Sequence, residues 1–422
     1  DRLRSRGLGD VYKRQIVYTF MSFMAIWGCT PDSDMLVDFN DFEITKVELG
    51  ADHRQLIADG VSTLTLNPML YQSYTFKNEE GRDSVVFGKI PVDRIKEGTV
   101  NYFLEDGTPM NGPTYKTTDL SKAEQGFYIT ANGLKSEVFK VSIRRPFPAD
   151  VYDTIVYPVV FHVIQNQTTV DLGQGVGSDI VYYAFNTIYN VFARTAVFSP
   201  NGADTRIRFR LAEYDPDGNK MTEKGINRYP LSKDALNNLD YEAIVNNPDI
   251  CWDYKKYLNI WVIDNMDHVG VPRYILEGTD LDQIKGCNMT LASLPEIEAA
   301  DYQLTDIGLI FNAKDFATED VGYATQMGKF FGLLETKSEK EDYCDDTFTY
   351  KNYKEPWNTV GDGSNSRLKI SSDGLLFYAV NIMDDGSYKN TISMDQVKRI
   401  RTITDNCPHR WAWKSDWAFT GK

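Results

Sequence analysis

The spacing of apolar residues changes once along this chain, at Arg144-Arg145-Pro146-Phe147-Pro148. Each proline there restricts its own φ and the conformation of the residue before it, so the stretch reads as a stiff linker. Before it, short segments alternate apolar and polar residues: Ile44-Thr45-Lys46-Val47-Glu48-Leu49, Ser62-Thr63-Leu64-Thr65-Leu66, Ser84-Val85-Val86-Phe87 and Val138-Phe139-Lys140-Val141-Ser142-Ile143. Turn signals at Asp59-Gly60, Asp106-Gly107 and Asn132-Gly133 separate them. Period-two segments with no helical stretch predict an antiparallel sandwich over residues 37–147.

Beyond the linker the pattern mixes strands and helices. Strands are predicted over Tyr157 to Ile164, Thr205 to Ala212, Tyr257 to Ile263 and Asp306 to Asn312. Helical spacing runs over Asp179 to Phe192 and over Val321 to Leu333. A closing helix spans Ser393 to Ile403, with Ser393 and Gln396 spaced for a capping box. The chain's 422 residues exceed what one core usually organises, which agrees with two folded units.

The chain carries a net charge of −15, and its first fifteen residues contribute +3, leaving −18 for the remainder. Phosphate backbones reward clustered Lys and Arg, so nucleic acid is excluded as a partner class. Asp1 to Gln15 resembles a translated sequencing adaptor and is left out of the fold argument. Ile16 to Gly28 is uncharged and apolar but, at thirteen residues, too short to span a bilayer. It reads as the apolar region of a signal peptide. Ile26-Trp27-Gly28-Cys29 resembles a bacterial lipobox, in which the cysteine takes the lipid, and Thr30-Pro31-Asp32-Ser33-Asp34 resembles a surface-export signal. The expectation is an outer-membrane lipoprotein attached through Cys29 and exposed at the cell surface. Residues 1–29 are then leader, 30–36 tether, 37–147 sandwich, 148–408 the mixed domain and 409–422 a C-terminal tail. Cys251, Cys287, Cys344 and Cys407 remain, an even number in an oxidising compartment, and one or two disulfides are expected without a choice of pairing.

One segment carries the chemistry: Gly322-Tyr323-Ala324-Thr325-Gln326-Met327-Gly328-Lys329-Phe330-Phe331-Gly332-Leu333-Leu334-Glu335. Thr325 and Lys329 are i,i+4 neighbours on a helix, and Gly332 can turn the chain so that Glu335 returns to their face. This layout resembles the metzincin motif H-E-x-x-H-x-x-G-x-x-H, in which three histidines hold zinc and the glutamate is the general base. Other matches follow in order. Tyr157 to Ile164 resembles the opening strand of the pappalysin-like metzincins, and Tyr257 to Val262 a later one. Asp342-Tyr343-Cys344-Asp345-Asp346-Thr347 resembles the family's cysteine-bearing loop, Asn381-Ile382-Met383-Asp384 its Met-turn, and Gln396 to Arg401 its final helix. The Ala58-Asp59-Gly60 turn leading into Leu64-Thr65-Leu66 resembles bacterial Ig-like repeats.

The resemblance implies an Ig-like β-sandwich followed by an α+β metzincin-like domain with a mixed sheet and an active-site-type helix. The departures bear on function. Thr325, Lys329 and Glu335 stand where the histidines belong, and Gln326 stands where the glutamate belongs, so Gly332 alone matches. Zinc wants imidazole, thiolate or carboxylate, and an ammonium in its first shell repels it. Gln326 cannot accept a proton from water. His162, in an apolar strand, is read as a hydrogen-bonded core residue. The family's zinc is therefore not expected, nor any other cofactor. The reading is a non-catalytic homologue that binds a peptide or protein. In the family the strand before the zinc helix pairs with extended substrate, which places ligand binding on Asp306, Ile307, Gly308, Leu309, Ile310, Phe311 and Asn312. Two alternatives stay open: a metallopeptidase with unconventional ligands, and an adhesin acting through the sandwich. The sequence does not give an oligomeric state.

Overall fold

The structure, a computed structural model, describes residues 43–77, 81–91, 94–196, 201–264, 272–277, 284–318, 322–337, 341–350, 368–373, 376–385 and 389–422. The leader and Cys29 lie outside the described residues. Among the described residues nine strands form before the linker: β1 (Lys46–Ala51), β2 (Gln55–Ile57), β3 (Leu64–Lys77), β4 (Asp83–Lys89), β5 (Val100–Leu104), β6 (Thr114–Tyr115), β7 (Glu124–Ala131), β8 (Leu134–Lys135) and β9 (Phe139–Arg144). Seven follow: β10 (Ile155–Ile164), β11 (Ile207–Leu211), β12 (Ile226–Arg228), β13 (Leu258–Ile263), β14 (Arg273–Leu276), β15 (Asn288–Leu291) and β16 (Gly308–Asn312). Then come β17 (Leu368–Ile370) and β18 (Leu376–Tyr378).

One sheet has the order β17-β18-β1-β3-β4, with β6 also on β3, and another has β2-β9-β7-β5, with β8 also on β7. Alternation sends Val47, Leu49, Leu66 and Leu70 from the first sheet and Phe127, Ile129 and Val141 from the second into one buried cluster. Residues 43–144 do not finish that cluster. Phe348, Tyr350, Phe377 and Ala379, from more than two hundred residues downstream, are buried in it. Phe348 stacks on Phe377 with ring centroids 4.2 Å apart. β18 runs parallel to β1 and pairs antiparallel with β17. The two-sheet unit is thus completed by residues between 348 and 379 rather than being a separate N-terminal module.

The remaining large sheet has the order β11-β10-β13-β16, with β12 also pairing β10. All its pairings are parallel, where a mixed sheet was expected. Parallel neighbours need crossovers, and the helix Ser178–Phe192 lies between β10 and β11 in the chain. β10 and β13 are buried along almost their whole length because both faces are covered. On one face the helices Ser178–Phe192, Tyr323–Phe330 and Met394–Asn406 contribute to the largest core cluster.

Residues 409–422, expected as a tail, are part of the body. Arg410 is buried, its Nε donates to Phe330 O at 2.9 Å, and its carbonyl accepts from Tyr157 Oη at 2.6 Å. Ala418 is buried with Val160 and Tyr257. The two halves of the molecule are joined by charge. Arg144, at the end of β9, forks onto the Asp395 carboxylate at 2.8 and 3.2 Å, at the start of the closing helix. Arg194 reaches Asp59 at 3.1 Å and Ser62 at 2.6 Å.

Candidate functional site

The motif segment forms an eight-residue helix, Tyr323–Phe330, shorter than the predicted one. It is entered through Gly322 at φ 62° and buries Tyr323, Ala324, Met327 and Phe330. Phe331 and Leu333 close its last turn onto Met327 O and Gly328 O, at 3.1 and 2.9 Å. Gly332 follows at φ 86°, the left-handed conformation the motif's glycine was expected to supply. A Cβ there would lie 2.7 Å from Ile403 Cγ1, so the closing helix also needs the bare backbone. Arg399, from that helix, donates to Gly332 O at 2.5 Å and fixes the turn.

That turn sends the chain back along the helix, and Lys329 Nζ lies 2.5 Å from Glu335 Oε1. The two positions brought together are those where the metzincin pattern has its second and third histidines. Thr325 faces elsewhere. Its hydroxyl donates to Ile382 O at 2.6 Å. Gln326, half-buried on the same helix, offers a carboxamide and no base.

The Asn381-Ile382-Met383-Asp384 turn sits beneath the helix. A Cβ on Gly328 would be 3.0 Å from Met383 Sδ and 3.0 Å from Ile382 Cδ1. Asn381 Oδ1 accepts from Met383 N at 2.9 Å, and Asp384 Oδ2 accepts from Asn381 N at 2.9 Å. Thr336, just beyond the pair, donates to Asp384 Oδ1 at 2.6 Å. Burial pushes the Asp384 carboxyl up to about 6 against these hydrogen bonds and the nearby His53 and Lys389.

Lys389 is a residue the sequence did not single out. A Cβ on Gly322 would be 3.6 Å from its Nζ, which puts a second ammonium at the start of the site helix. Burial holds Lys389 below the usual lysine range, with Lys329 acting in the same direction and Asp385 and Asp384 opposing. The only local signal was its position five residues after the Met-turn.

These donors do not fit a zinc ion. Thr325 is engaged by a carbonyl, Lys329 is a cation, and the one anionic group, Glu335, is engaged by Lys329. Among the described residues no group of three or more His, Cys, Asp or Glu side chains could hold a metal. One or two disulfides were expected among Cys251, Cys287, Cys344 and Cys407, but all four are free. Cys287 instead accepts from Arg399 Nη2 at 3.0 Å and donates to Gly332 O at 3.4 Å. Burial pushes the Cys344 thiol far above the usual thiol range and raises Cys251 to about 12.

His162 is a core residue, as expected. It is fully buried, with Nε2 2.8 Å from Asn259 Oδ1 and Nδ1 3.0 Å from Asn227 Nδ2. Burial lowers it to about 4.

The segment read as a ligand-receiving edge has another role. Asp306 and Ile307 close a short helix, Leu304–Ile307, rather than starting a strand. The buried Asp306 carboxylate accepts from Arg273 N at 3.0 Å and Arg273 Nε at 3.0 Å, and from Gln303 N at 2.8 Å. Gly308, Leu309, Ile310 and Phe311 are buried, and Asn312 is half-buried. A Cβ on Gly308 would lie 2.2 Å from Asn259 O, so β16 is pressed against β13. The strand ends its sheet but presents no solvent-exposed edge to an extended peptide.

No protein-family model matches the chain, and no curated protein matches it in sequence. Among solved structures it is similar to a mutant of promirolysin from Tannerella forsythia, at 19% identity and a TM-score of 0.40, over 64% of this chain and 86% of that one. It is similar to mirolysin in complex with compound 9, at 18% identity and a TM-score of 0.40, over 64% of this chain and 99% of that one. It is also similar to mature Tannerella forsythia mirolysin in complex with a cleaved peptide, at 19% identity and a TM-score of 0.35, over 63% and 97%. These neighbours are metallopeptidases, and at this level of likeness no residue role passes from them to this chain.

Proposed function

We propose that this chain is a cell-surface lipoprotein whose metzincin-like half binds a peptide or protein without cleaving it. The observation that carries the reading is the Lys329–Glu335 ion pair across Gly332, on a helix backed by Met383. At two of the three positions where the motif calls for imidazoles, an ammonium and a carboxylate neutralise each other, and Gln326 offers no general base. The ligand is not assigned to residues 306–312, whose backbone is enclosed.

Metal analysis of the purified chain, combined with peptide cleavage measured with and without a chelator, tests the reading. Stoichiometric zinc with chelator-sensitive cleavage would establish the alternative, a metallopeptidase with unconventional ligands.

A further inference from the structure

The hairpin of β3 and β4 outruns the two-sheet core. Tyr71 to Lys77 of β3 pairs with all of β4. Over this stretch β4 buries neither face, its residues alternating between exposed and half-exposed. β4 ends its sheet, and among the described residues no strand pairs with its outer side. Its most exposed side chains include large apolar ones: Val85 is 55% exposed and Phe87 42%. An edge strand of this kind is a template for pairing with another chain, and most proteins blunt such edges.

The order of residues in β4, Asp83-Ser84-Val85-Val86-Phe87-Gly88-Lys89, points to which chain. Read backwards, it complements itself. Antiparallel pairing about a two-fold axis at Val86 sets Asp83 opposite Lys89, Val85 opposite Phe87 and Ser84 opposite Gly88. The hydrogen-bond phase agrees. Ile90 N donates to Leu70 O at 2.8 Å, one step beyond the Tyr71–Lys89 pair of the register. Alternation along an antiparallel ladder then turns the peptide groups of Ser84, Val86 and Gly88 towards β3, and those of Asp83, Val85, Phe87 and Lys89 outwards. With the axis at Val86, every outward residue meets an outward residue. Axes at Val85 or Phe87 keep that phase, but only Val86 puts opposite charges face to face.

We propose that β4 is a homodimerisation edge, through which two copies of this chain join antiparallel about a two-fold axis at Val86. The interface is isologous and needs no second patch elsewhere on the molecule. Lys46 Nζ lies 5.2 Å over the Phe87 ring and covers one side of the apolar pair. Asp83 already reaches Lys77 at 3.1 Å and Lys89 has an interaction within its own chain, but all three side chains are exposed, so the crossed Asp83–Lys89 pairs form by exchange of weak surface contacts.

Sedimentation velocity of the full chain from micromolar to millimolar concentration tests this. A concentration-dependent dimer is expected. Asp83→Lys and Lys89→Asp should each weaken self-association roughly tenfold or more, because each puts like charges face to face. Mixing the two variants should restore a dimer containing one copy of each. Phe87→Pro removes an outward amide while sparing the bonds to β3, and should abolish the dimer with the circular dichroism and melting temperature unchanged. A wild-type chain that stays monomeric throughout overturns the proposal. So does a dimer indifferent to both charge variants, or a mixture that associates no better than either variant alone.

Discussion

The Lys329 ammonium lies 2.5 Å from the Glu335 carboxylate because Gly332, between them, adopts a positive φ against Ile403. The pair and the glycine should therefore differ sharply in energetic weight. Lys329 and Glu335 are 32% and 53% exposed, so a double-mutant cycle is expected to give a coupling of about 1 kcal/mol or less. Gly332→Ala adds backbone strain and a clash, and should cost about 2 kcal/mol or more in urea unfolding.

The four substitutions Thr325→His, Gln326→Glu, Lys329→His and Glu335→His, made together, should give a folded chain that binds zinc, measured by calorimetry. The Gly332 turn already brings positions 329 and 335 together, and Met383 lies beneath the helix. A folded quadruple variant with no zinc affinity would mean that the Thr325 side of the site is remodelled beyond the side chains.

Buried acids and histidines oppose each other in the pH dependence of stability. Asp384 and Asp346 are raised to about 6, both foremost by burial, with Asp395 adding to the effect on Asp346. A carboxyl with a folded pKa above its unfolded value favours folding when protonated, and this contribution is lost as pH rises from about 4 through 6. His162 and His409 are lowered to about 4, foremost by burial. Their contribution is present above the unfolded histidine value and is lost as pH falls from about 6.5 towards 4. These two sets of groups therefore offset each other in the melting temperature over this range. Asp384→Asn should make it fall on acidification, and His162→Gln should make it rise.

Phe377 packs against Phe348 and Tyr350 inside the two-sheet core. Phe377→Ala should cost about 3 to 5 kcal/mol. A fragment of residues 43–147, lacking these partners and β18, should show no dispersed amide spectrum. An adhesin function confined to that fragment would require the opposite result.

Attachment is tested apart from the fold. Cys29→Ser should move the protein from the membrane fraction to the soluble one, since the lipid is the anchor expected from the sequence. Unchanged partitioning would remove the lipoprotein reading.

Local signals were readable where local physics decides the outcome. The capping box of Ser393 and Gln396 forms as its spacing predicts, at the start of Met394–Asn406. Gly332 takes its positive φ, and His162 finds amide partners inside an apolar strand. The misreadings arose where distant chain decides. Asp306 to Asn312 reads as one strand by hydrophobicity, but Arg273 holds the Asp306 carboxylate and closes a helical turn first. Cysteine count alone could not show that Arg399 occupies Cys287. No period in residues 37–147 announces that Phe348 and Phe377 belong to their core.

The β17–β18 hairpin also bears on how the chain is made. During synthesis β1 and β3 emerge long before Phe377, the residue of β18 paired with Ala51 on β1. The first sheet must then wait for some three hundred residues to leave the ribosome before its neighbour arrives. Such high contact order predicts slow final assembly, with the apolar half-core of β1, β3 and β7 open to chaperones in the interval.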